Sequence, residues 1–211
     1  EIAHPDDRQA LVDQAKDANI LYRDQIFLAE SARLYPADIA TRQTFKEDLR
    51  VDFRAIKPSD VEDMRRLFYR FSDTAVYYRY FSPIKTMPHA KMQEYVNVDF
   101  SRCLSIVGLV KETGEGRIIA EARFVRDHQR PFAEVAFVVD EAYQGTGIAT
   151  FMLKMLIRLA KERGLRGFTA DVLSSNKAML KVFEKGGLPV EARVVKGIYE
   201  VTIPFGHSPG G

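Results

Sequence analysis

A glutamate and a pair of glycines are the residues of this chain whose types and spacing could support chemistry. Glu134 opens an apolar run that extends to Val139, and Gly145 and Gly147 follow in a short turn. A carboxylate can remove a proton from an amine, and a glycine turn lets an anionic ligand approach the main chain closely. The spacing therefore predicts a proton acceptor beside a phosphate-binding turn.

The residues on either side of the turn have the patterns of a strand and a helix. The β-branched and aromatic residues of 134–139 are typical of a buried strand. A helix that begins after such a turn presents free N–H groups and the positive end of its dipole to an anion. A corner that binds no ligand is the structural alternative. The apolar residues at helical spacing are Phe151, Met152, Met155, Leu156 and Leu159.

A dinucleotide site is a second alternative for this turn. Its fingerprint is G-x-G-x-x-G/A, followed by an acidic residue about 20 positions later. Here Thr150 stands where the third small residue belongs, and Asp171 lies somewhat too far along. The turn also leaves room for only one further strand–helix unit, which disfavours a doubly wound fold.

Two separated segments match the motifs of one known family. Gln144-Gly145-Thr146-Gly147-Ile148-Ala149 fits the pattern Q/R-x-x-G-x-G/A. Asn176, followed by Phe183-Glu184-Lys185-Gly186-Gly187-Leu188, fits the pattern N-x-x…K-x-G-F. On these residues the chain, from about 51 to 205, resembles the GNAT superfamily of N-acetyltransferases. The resemblance implies acetyl-CoA as the co-substrate, no metal, and direct transfer of an acetyl group to an amine.

The same resemblance implies a fold class and a set of acyl-CoA-binding residues. The fold is the α/β GNAT fold, a mixed and mostly antiparallel central sheet with flanking helices, splayed at the acyl-CoA cleft. The predicted order of elements, β-α-α-β-β-β-α-β-α-β-β, agrees with it. Asn176 is equally suited to cap a helix, and the two roles are compatible. The residues implied to bind acetyl-CoA are Phe137, Val138, Val139, Gln144, Gly145, Thr146, Gly147, Ile148, Ala149, Thr150 and Asn176.

Glu134 is the candidate catalytic base. An alkylamine is protonated at neutral pH, so acyl transfer to it requires a group that removes a proton. Its flanking residues are apolar, namely Phe132, Ala133, Val135 and Ala136, so we expect a poorly hydrated carboxylate, which is a stronger base. A solvated glutamate on the outer face of the strand is the alternative, and Glu121 and Asp140 are weaker candidates. A serine or cysteine nucleophile with a nearby base is not apparent, which favours direct transfer.

Two further positions bear on the reaction. Many GNAT enzymes have a tyrosine general acid at the place of Phe183, which has no proton to give. Tyr78-Arg79-Tyr80-Phe81 resembles a segment of the protein acetyltransferases that modify acyl-CoA synthetases, and we expect it to form the acceptor lip. A protein lysine is the expected acceptor, and a small amine is the alternative. The third hypothesis is a non-catalytic module that reports acetyl-CoA to an attached CoA-transferase domain.

Composition excludes other classes of function. The 211 residues carry a formal net charge of +2 without a block of like charge, so we expect neither a nucleic acid nor a membrane partner. Histidines at 4, 89, 128 and 207 lack metal-ligand spacing, and the single Cys103 excludes an intramolecular disulfide. We expect a cytoplasmic protein.

The ends of the chain are expected to lie outside the GNAT domain. Residues 1–50 are predicted to form a helix and a connector, and residues 206–211 a disordered tail. His4-Pro5-Asp6-Asp7 resembles the C-terminal end of the acetyl-CoA hydrolase/CoA-transferase family. That resemblance implies a preceding domain of which residues 1–50 are the remnant.

Overall fold

The computed structural model describes residues 7–26, 35–113 and 115–206. The α-helices in these ranges are α1 Arg8–Asp17, α2 Val61–Arg70, α3 Asp73–Tyr80, α4 His89–Val96, α5 Ile148–Glu162 and α6 Lys177–Glu184. The strands are β1 Thr41–Thr44, β2 Arg50–Ala55, β3 Cys103–Thr113, β4 Glu115–Arg126, β5 Phe132–Val139, β6 Gly167–Leu173, β7 Glu191–Val195 and β8 Ile198–Pro204. Within these ranges, no helix is long and apolar enough to cross a membrane.

The strands form one mixed sheet in the order β1-β2-β3-β4-β5-β6-β8-β7. Neighbouring strands run antiparallel, except that β5 and β6 are parallel. The β5–β6 pairing covers three residues and ends where Glu134 faces Thr169, although β5 continues to Val139 and β6 to Leu173. The two strands diverge beyond that pair. The predicted mostly antiparallel sheet, splayed at one place, is confirmed.

Helices pack on the sheet because every second residue of a strand such as β5 is apolar and points toward them. In β5, Ala133, Val135 and Phe137 are buried, and Phe137 contacts Phe183 of α6 at 6.1 Å between ring centroids. On this face α5 contributes Met152, Leu153 and Leu156 to the core. The intervening residues of β5, including Glu134, therefore point to the opposite face, which α3 and α4 partly cover.

Two elements differ from the sequence prediction. Thr41–Thr44, assigned to the connector, pairs with β2 as an edge strand, and Asp73–Tyr80 forms an additional helix. Asp60 is the N-cap of α2, but its side chain makes no cap hydrogen bond to that helix. The Asp60 carboxylate instead accepts a hydrogen bond from the backbone N–H of Lys57 at 2.8 Å.

The connector packs on the domain that follows it. The side chain of Gln25 donates to that of Gln93 in α4 at 2.8 Å, and the Tyr22 and His89 rings lie 4.4 Å apart. The predicted N-terminal helix corresponds to α1, whereas His4, Pro5 and Asp6 lie outside the described residues, as does 207–211. The boundaries at residues 50 and 205, and the resemblance to a CoA-transferase terminus, stay predictions.

Candidate functional site

A cleft of about 650 Å³ lies where β5 and β6 diverge. Its walls come from α3, β5, the glycine turn, β6 and α6. Thr146 is not among the lining residues, because its hydroxyl donates to the backbone oxygen of Tyr143 at 2.7 Å within the turn. The predicted residues that do line the cleft are Glu134, Phe137, Val138, Val139, Gln144, Gly145, Gly147, Ile148, Ala149, Thr150 and Asn176.

The glycine turn presents main-chain groups to this cleft. Gly145 and Gly147 have φ values of 77° and 101°, which L side chains rarely adopt. Gly147 is the N-cap of α5, so no N-cap side chain bonds the free N–H groups of the first helical turn. The first turn also contains no acidic residue. These N–H groups and the helix dipole suit the turn to an anion.

Three contacts fix the approach to the turn. The side-chain amide of Gln144 donates to the backbone oxygen of Val139 at 3.1 Å, which ties the turn to the end of β5. Asp140 accepts from the backbone N–H of Ala142 at 3.2 Å and forms an ion pair with Arg70 at 2.7 Å. The side chains of Asp140 and Gln144 therefore fix the path of the chain between β5 and α5.

The opposite wall contains Asn176 and Phe183. The Asn176 side-chain oxygen accepts from the backbone N–H of Met179 at 3.2 Å, so the predicted helix cap is confirmed in a residue that also lines the cleft. Phe183 lines the cleft too, and only 1% of its surface is exposed. A proton donor is therefore absent at the side chain of residue 183.

Glu134 lies at the last residue pair before β5 and β6 diverge. Its carboxylate is exposed, so the poorly hydrated environment expected from its apolar neighbours is not found. The sequence neighbours Ala133 and Val135 point to the other face of the sheet, and for that reason they do not surround it. Exposure within the cleft leaves the carboxylate accessible to an incoming amine.

The two other candidate bases are engaged elsewhere, and neither lines the cleft. Asp140 is paired with Arg70, as described above. Glu121 is fully buried, and its carboxylate accepts hydrogen bonds from Ser105 at 2.6 Å, from Tyr95 at 2.9 Å and from Arg123 at 2.6 Å. Burial disfavours its charge, but Arg123 and Arg79 hold the pKa of Glu121 below its ordinary value.

Arg79 belongs to this buried cluster, which the sequence analysis missed. It was expected on an exposed acceptor lip, but its guanidinium is mostly buried and donates from Nη2 to the Tyr95 hydroxyl at 2.7 Å. The exposed aromatic residues are instead Phe81 within this segment, at 38%, and Tyr77 directly before it, at 44%. A signal for the cluster was present in β4, where charged residues at 121 and 123 share one face of an otherwise apolar stretch.

The chain matches known acetyltransferases. The family model "Acetyltransferase (GNAT) domain" matches residues 50–189. The acetyltransferase Pat of Mycolicibacterium smegmatis is 36% identical over 135 residues, which cover 64% of this chain and 40% of that protein. The present chain therefore corresponds to less than half of that relative.

Solved structures agree with this match. The GNAT domain of S. lividans PAT superposes with a TM-score of 0.72 at 28% identity, covering 81% of this chain and 99% of that one. A cAMP-binding acyltransferase from Mycobacterium smegmatis gives a TM-score of 0.55 at 29% identity, covering 83% of this chain and 51% of that one.

Proposed function

The chain belongs to the acetyltransferase (GNAT) family, and from that premise we propose that it transfers the acetyl group of acetyl-CoA directly to a lysine side chain of a protein. One observation carries the proposal. The exposed Glu134 lies at the point where β5 and β6 diverge, inside the cleft that the glycine turn also lines. A proton acceptor and an anion-binding turn thus share one cavity.

The binding part of the proposal rests on main-chain groups. The pyrophosphate of acetyl-CoA would be held by the N–H groups between Gly145 and Thr150, where the dipole of α5 favours negative charge. The residues Phe137, Val138 and Val139 extend beyond the last β5–β6 pair and line the cleft, so their backbone is available to the pantetheine arm. Asn176 contributes from the opposite wall.

The chemical part assigns one proton transfer to Glu134. Glu134 first takes a proton from the ammonium form of the lysine. The neutral amine nitrogen then forms a bond to the thioester carbonyl carbon, the carbon–sulfur bond breaks, and the second nitrogen proton is released to water. The CoA thiolate then leaves without an acid from residue 183, because the side chain there is that of Phe183. The thiol of CoA has a pKa near that of cysteine, about 8.5, so its thiolate is a good leaving group without an acid. Water can protonate the thiolate after it has left.

The acceptor assignment is supported by relatives and by exposed surface. The matched relatives include proteins named Pat and PAT, one an acetyltransferase and one represented by its GNAT domain. The exposed Phe81 lines the cleft, and the exposed Tyr77 lies just before the segment 78–81, where an acceptor protein would make contact. Aromatic side chains are frequent anchors in protein interfaces. A cytoplasmic location and an attached CoA-transferase-type domain belong to the same proposal.

The test of the base is Glu134→Gln. The amide keeps the shape of the side chain but does not accept the proton, so we expect kcat to fall by about 10²- to 10⁴-fold. Because Glu134 is exposed, calorimetric affinity for acetyl-CoA and the melting temperature should stay close to those of the wild type. The matched control is Asp171→Asn, which removes another exposed carboxylate from the same cleft and should retain activity.

Three outcomes would contradict parts of the proposal. Full activity of Glu134→Gln together with loss in Asp171→Asn would transfer the role of base to Asp171. Acetylation of small amines but of no protein would make the enzyme a small-amine acetyltransferase. Tight acetyl-CoA binding by a wild-type protein that acetylates no acceptor would favour the non-catalytic sensor, in line with the missing hydroxyl at Phe183.

A further inference from the structure

The buried cluster beside the cleft contains more positive than negative charge. It holds two guanidinium groups and one carboxylate: Arg123 donates directly to Glu121, whereas Arg79 is connected to Glu121 only through the Tyr95 hydroxyl. The pKa of that carboxyl group is lowered, so it is ionised near neutral pH, whereas burial raises the pKa of Tyr95 and keeps its hydroxyl neutral. One positive charge in the cluster is therefore not matched by an anion among these residues.

The unmatched charge is located at Arg79. Arg123 donates to Glu121 at 2.6 Å and to the backbone oxygen of Tyr95 at 3.0 Å, and its guanidinium stacks 3.4 Å from the centre of the Tyr95 ring. Arg79, in contrast, donates from Nη2 to the neutral Tyr95 hydroxyl, and its buried Nε has no hydrogen-bond partner among the described residues. A guanidinium has five N–H donors, so Arg79 retains capacity for an acceptor.

Arg79 also lines the cleft that contains the candidate base. It lines the same cavity as Glu134, between Tyr78 and Tyr80. The strand register places Arg123 opposite Ala136, and Glu134 opposite Val125, so that Glu134 and the cluster lie on one face of the sheet. Arg79 and Glu134 thus belong to one cavity, and the cluster that holds Arg79 lies on the same face of the sheet as Glu134.

We propose that Arg79 is a carboxylate-binding subsite at the reactive end of the cleft. A guanidinium matches a carboxylate in both charge and planar geometry, and a partly desolvated cation binds an anion more strongly than an exposed one does. The carboxylate can come from the acceptor, as an acidic residue beside the target lysine, or from the donor, as an acyl group that ends in a carboxylate. The proposal deepens the proposed function, on which it rests, by naming a substrate class.

Calorimetry separates the two sources without requiring turnover. In the donor arm, acetyl-CoA and succinyl-CoA are titrated into the wild type and Arg79→Met. In the acceptor arm, two lysine peptides that differ only by Glu or Gln beside the lysine are titrated into each protein saturated with CoA. We expect Arg79→Met to weaken the carboxylate-bearing member of one pair by about 10- to 100-fold, as loss of a hydrogen bond to a charged group implies. The neutral member should change by less than about twofold.

Two further variants make this result specific. Arg79→Lys keeps the charge and should retain part of the discrimination, which also covers the case in which Arg79→Met does not fold. Lys181→Met removes an exposed cation from the same cleft and should leave both affinity ratios unchanged. Folding of each variant is checked by its melting temperature.

The affected pair identifies the source of the carboxylate. Unchanged ratios in both arms, for a variant that melts like the wild type, would overturn the subsite. Failure of the wild type to acetylate any acceptor would instead refute the proposed function, because the binding ratios are measured without catalysis.

Discussion

Replacing Glu121 by glutamine should destabilise the protein, and this substitution measures how strongly the buried cluster holds α3 and α4 to the sheet. The variant keeps the shape of the side chain and removes its charge. In the wild type the fully buried carboxylate accepts from Ser105, Tyr95 and Arg123, and Tyr95 in turn accepts from Arg79. An amide has one oxygen to accept these bonds, and its NH2 group faces donors instead of pairing with them.

The magnitude follows from the charges left behind. Removing one partner of a buried ion pair costs about 3–5 kcal/mol, because the remaining charge is desolvated and unpaired. Here Arg123 would lose its direct ion-pair partner, and the already unmatched charge of Arg79 would lose the only carboxylate of the cluster, so we expect the upper part of that range. For a chain of this size each kcal/mol lowers the melting temperature by about 2–4 °C, so a loss of about 4–5 kcal/mol corresponds to a decrease of about 8–20 °C.

The stability difference between the wild type and Glu121→Gln should depend on pH in a defined direction. The pKa of Glu121 is lower in the folded protein than its ordinary value, because Arg123 and Arg79 outweigh the effect of burial. Its contribution to the free energy of unfolding is therefore complete above the pKa of the unfolded chain, and it is lost as the pH falls through the lowered pKa of the folded state. The stability difference between wild type and variant should shrink on the acid side of the ordinary carboxyl range and stay constant near neutrality.

Urea denaturation at neutral and acid pH is the assay. The matched control is Glu134→Gln, the same substitution at an exposed site on the same face of the sheet, which should change stability by less than about 0.5 kcal/mol. A double variant with Arg123→Gln should cost less than the sum of the single losses, since both act on one pair. A loss below about 1 kcal/mol at Glu121, or additive losses in the double variant, would refute the reasoning.

Two predictions concern the walls of the cleft. Gly147→Glu should abolish acetyl-CoA binding measured by calorimetry, because it brings a carboxylate to the N-terminus of α5 where we place the pyrophosphate. The control Gly147→Ala imposes the same backbone strain at a positive φ without the charge, so it separates strain from repulsion. Equal binding by the wild type and the glutamate variant would remove the turn from the site. Asn176→Ala should lower the free energy of unfolding by about 1 kcal/mol through the lost cap of α6, and its affinity for acetyl-CoA should fall if the amide also contacts the ligand, whereas Asn176→Asp should restore the cap.

The parts of the fold that the sequence predicts are those with a local pattern. The strand, turn and helix from Glu134 to Glu162 are recognisable because period-2 and period-3.6 apolar patterns meet at two glycines. Thr41–Thr44 is a strand for another reason. All four of its side chains are exposed, and backbone pairing with β2, together with an ion pair between Arg42 and Asp52, holds it in place. No pattern of side chains within the segment predicts such an edge strand.

The additional helix α3 shows a signal that was present but not used. Its apolar and polar residues do not separate into two faces, so its periodicity is weak. Ser72, however, caps the helix by accepting from the backbone N–H of Ala75 at 3.2 Å, and serine followed by aspartate is a recognisable start. The lip residues 78–81 are therefore placed by a helix, and Arg79 turns inward as part of it.

Two glutamates show why the site could be predicted only in part. Glu121 lies between Ala120 and Ala122, and Glu134 between Ala133 and Val135, so the sequence gives both the same apolar context. In the structure the first is fully buried and the second is exposed. The difference arises on the shared face of the sheet, where Tyr95 of α4 covers Glu121.

The environment of Glu134 is likewise not determined by the residues of its own strand. Its exposure follows from the end of the β5–β6 pairing, and that pairing depends on residues more than thirty positions away. The chemistry of a carboxylate is decided by what covers it, and the covering elements come from distant parts of the chain. For this reason a sequence motif can name the candidate base, whereas assigning the roles of the two glutamates requires the packed sheet.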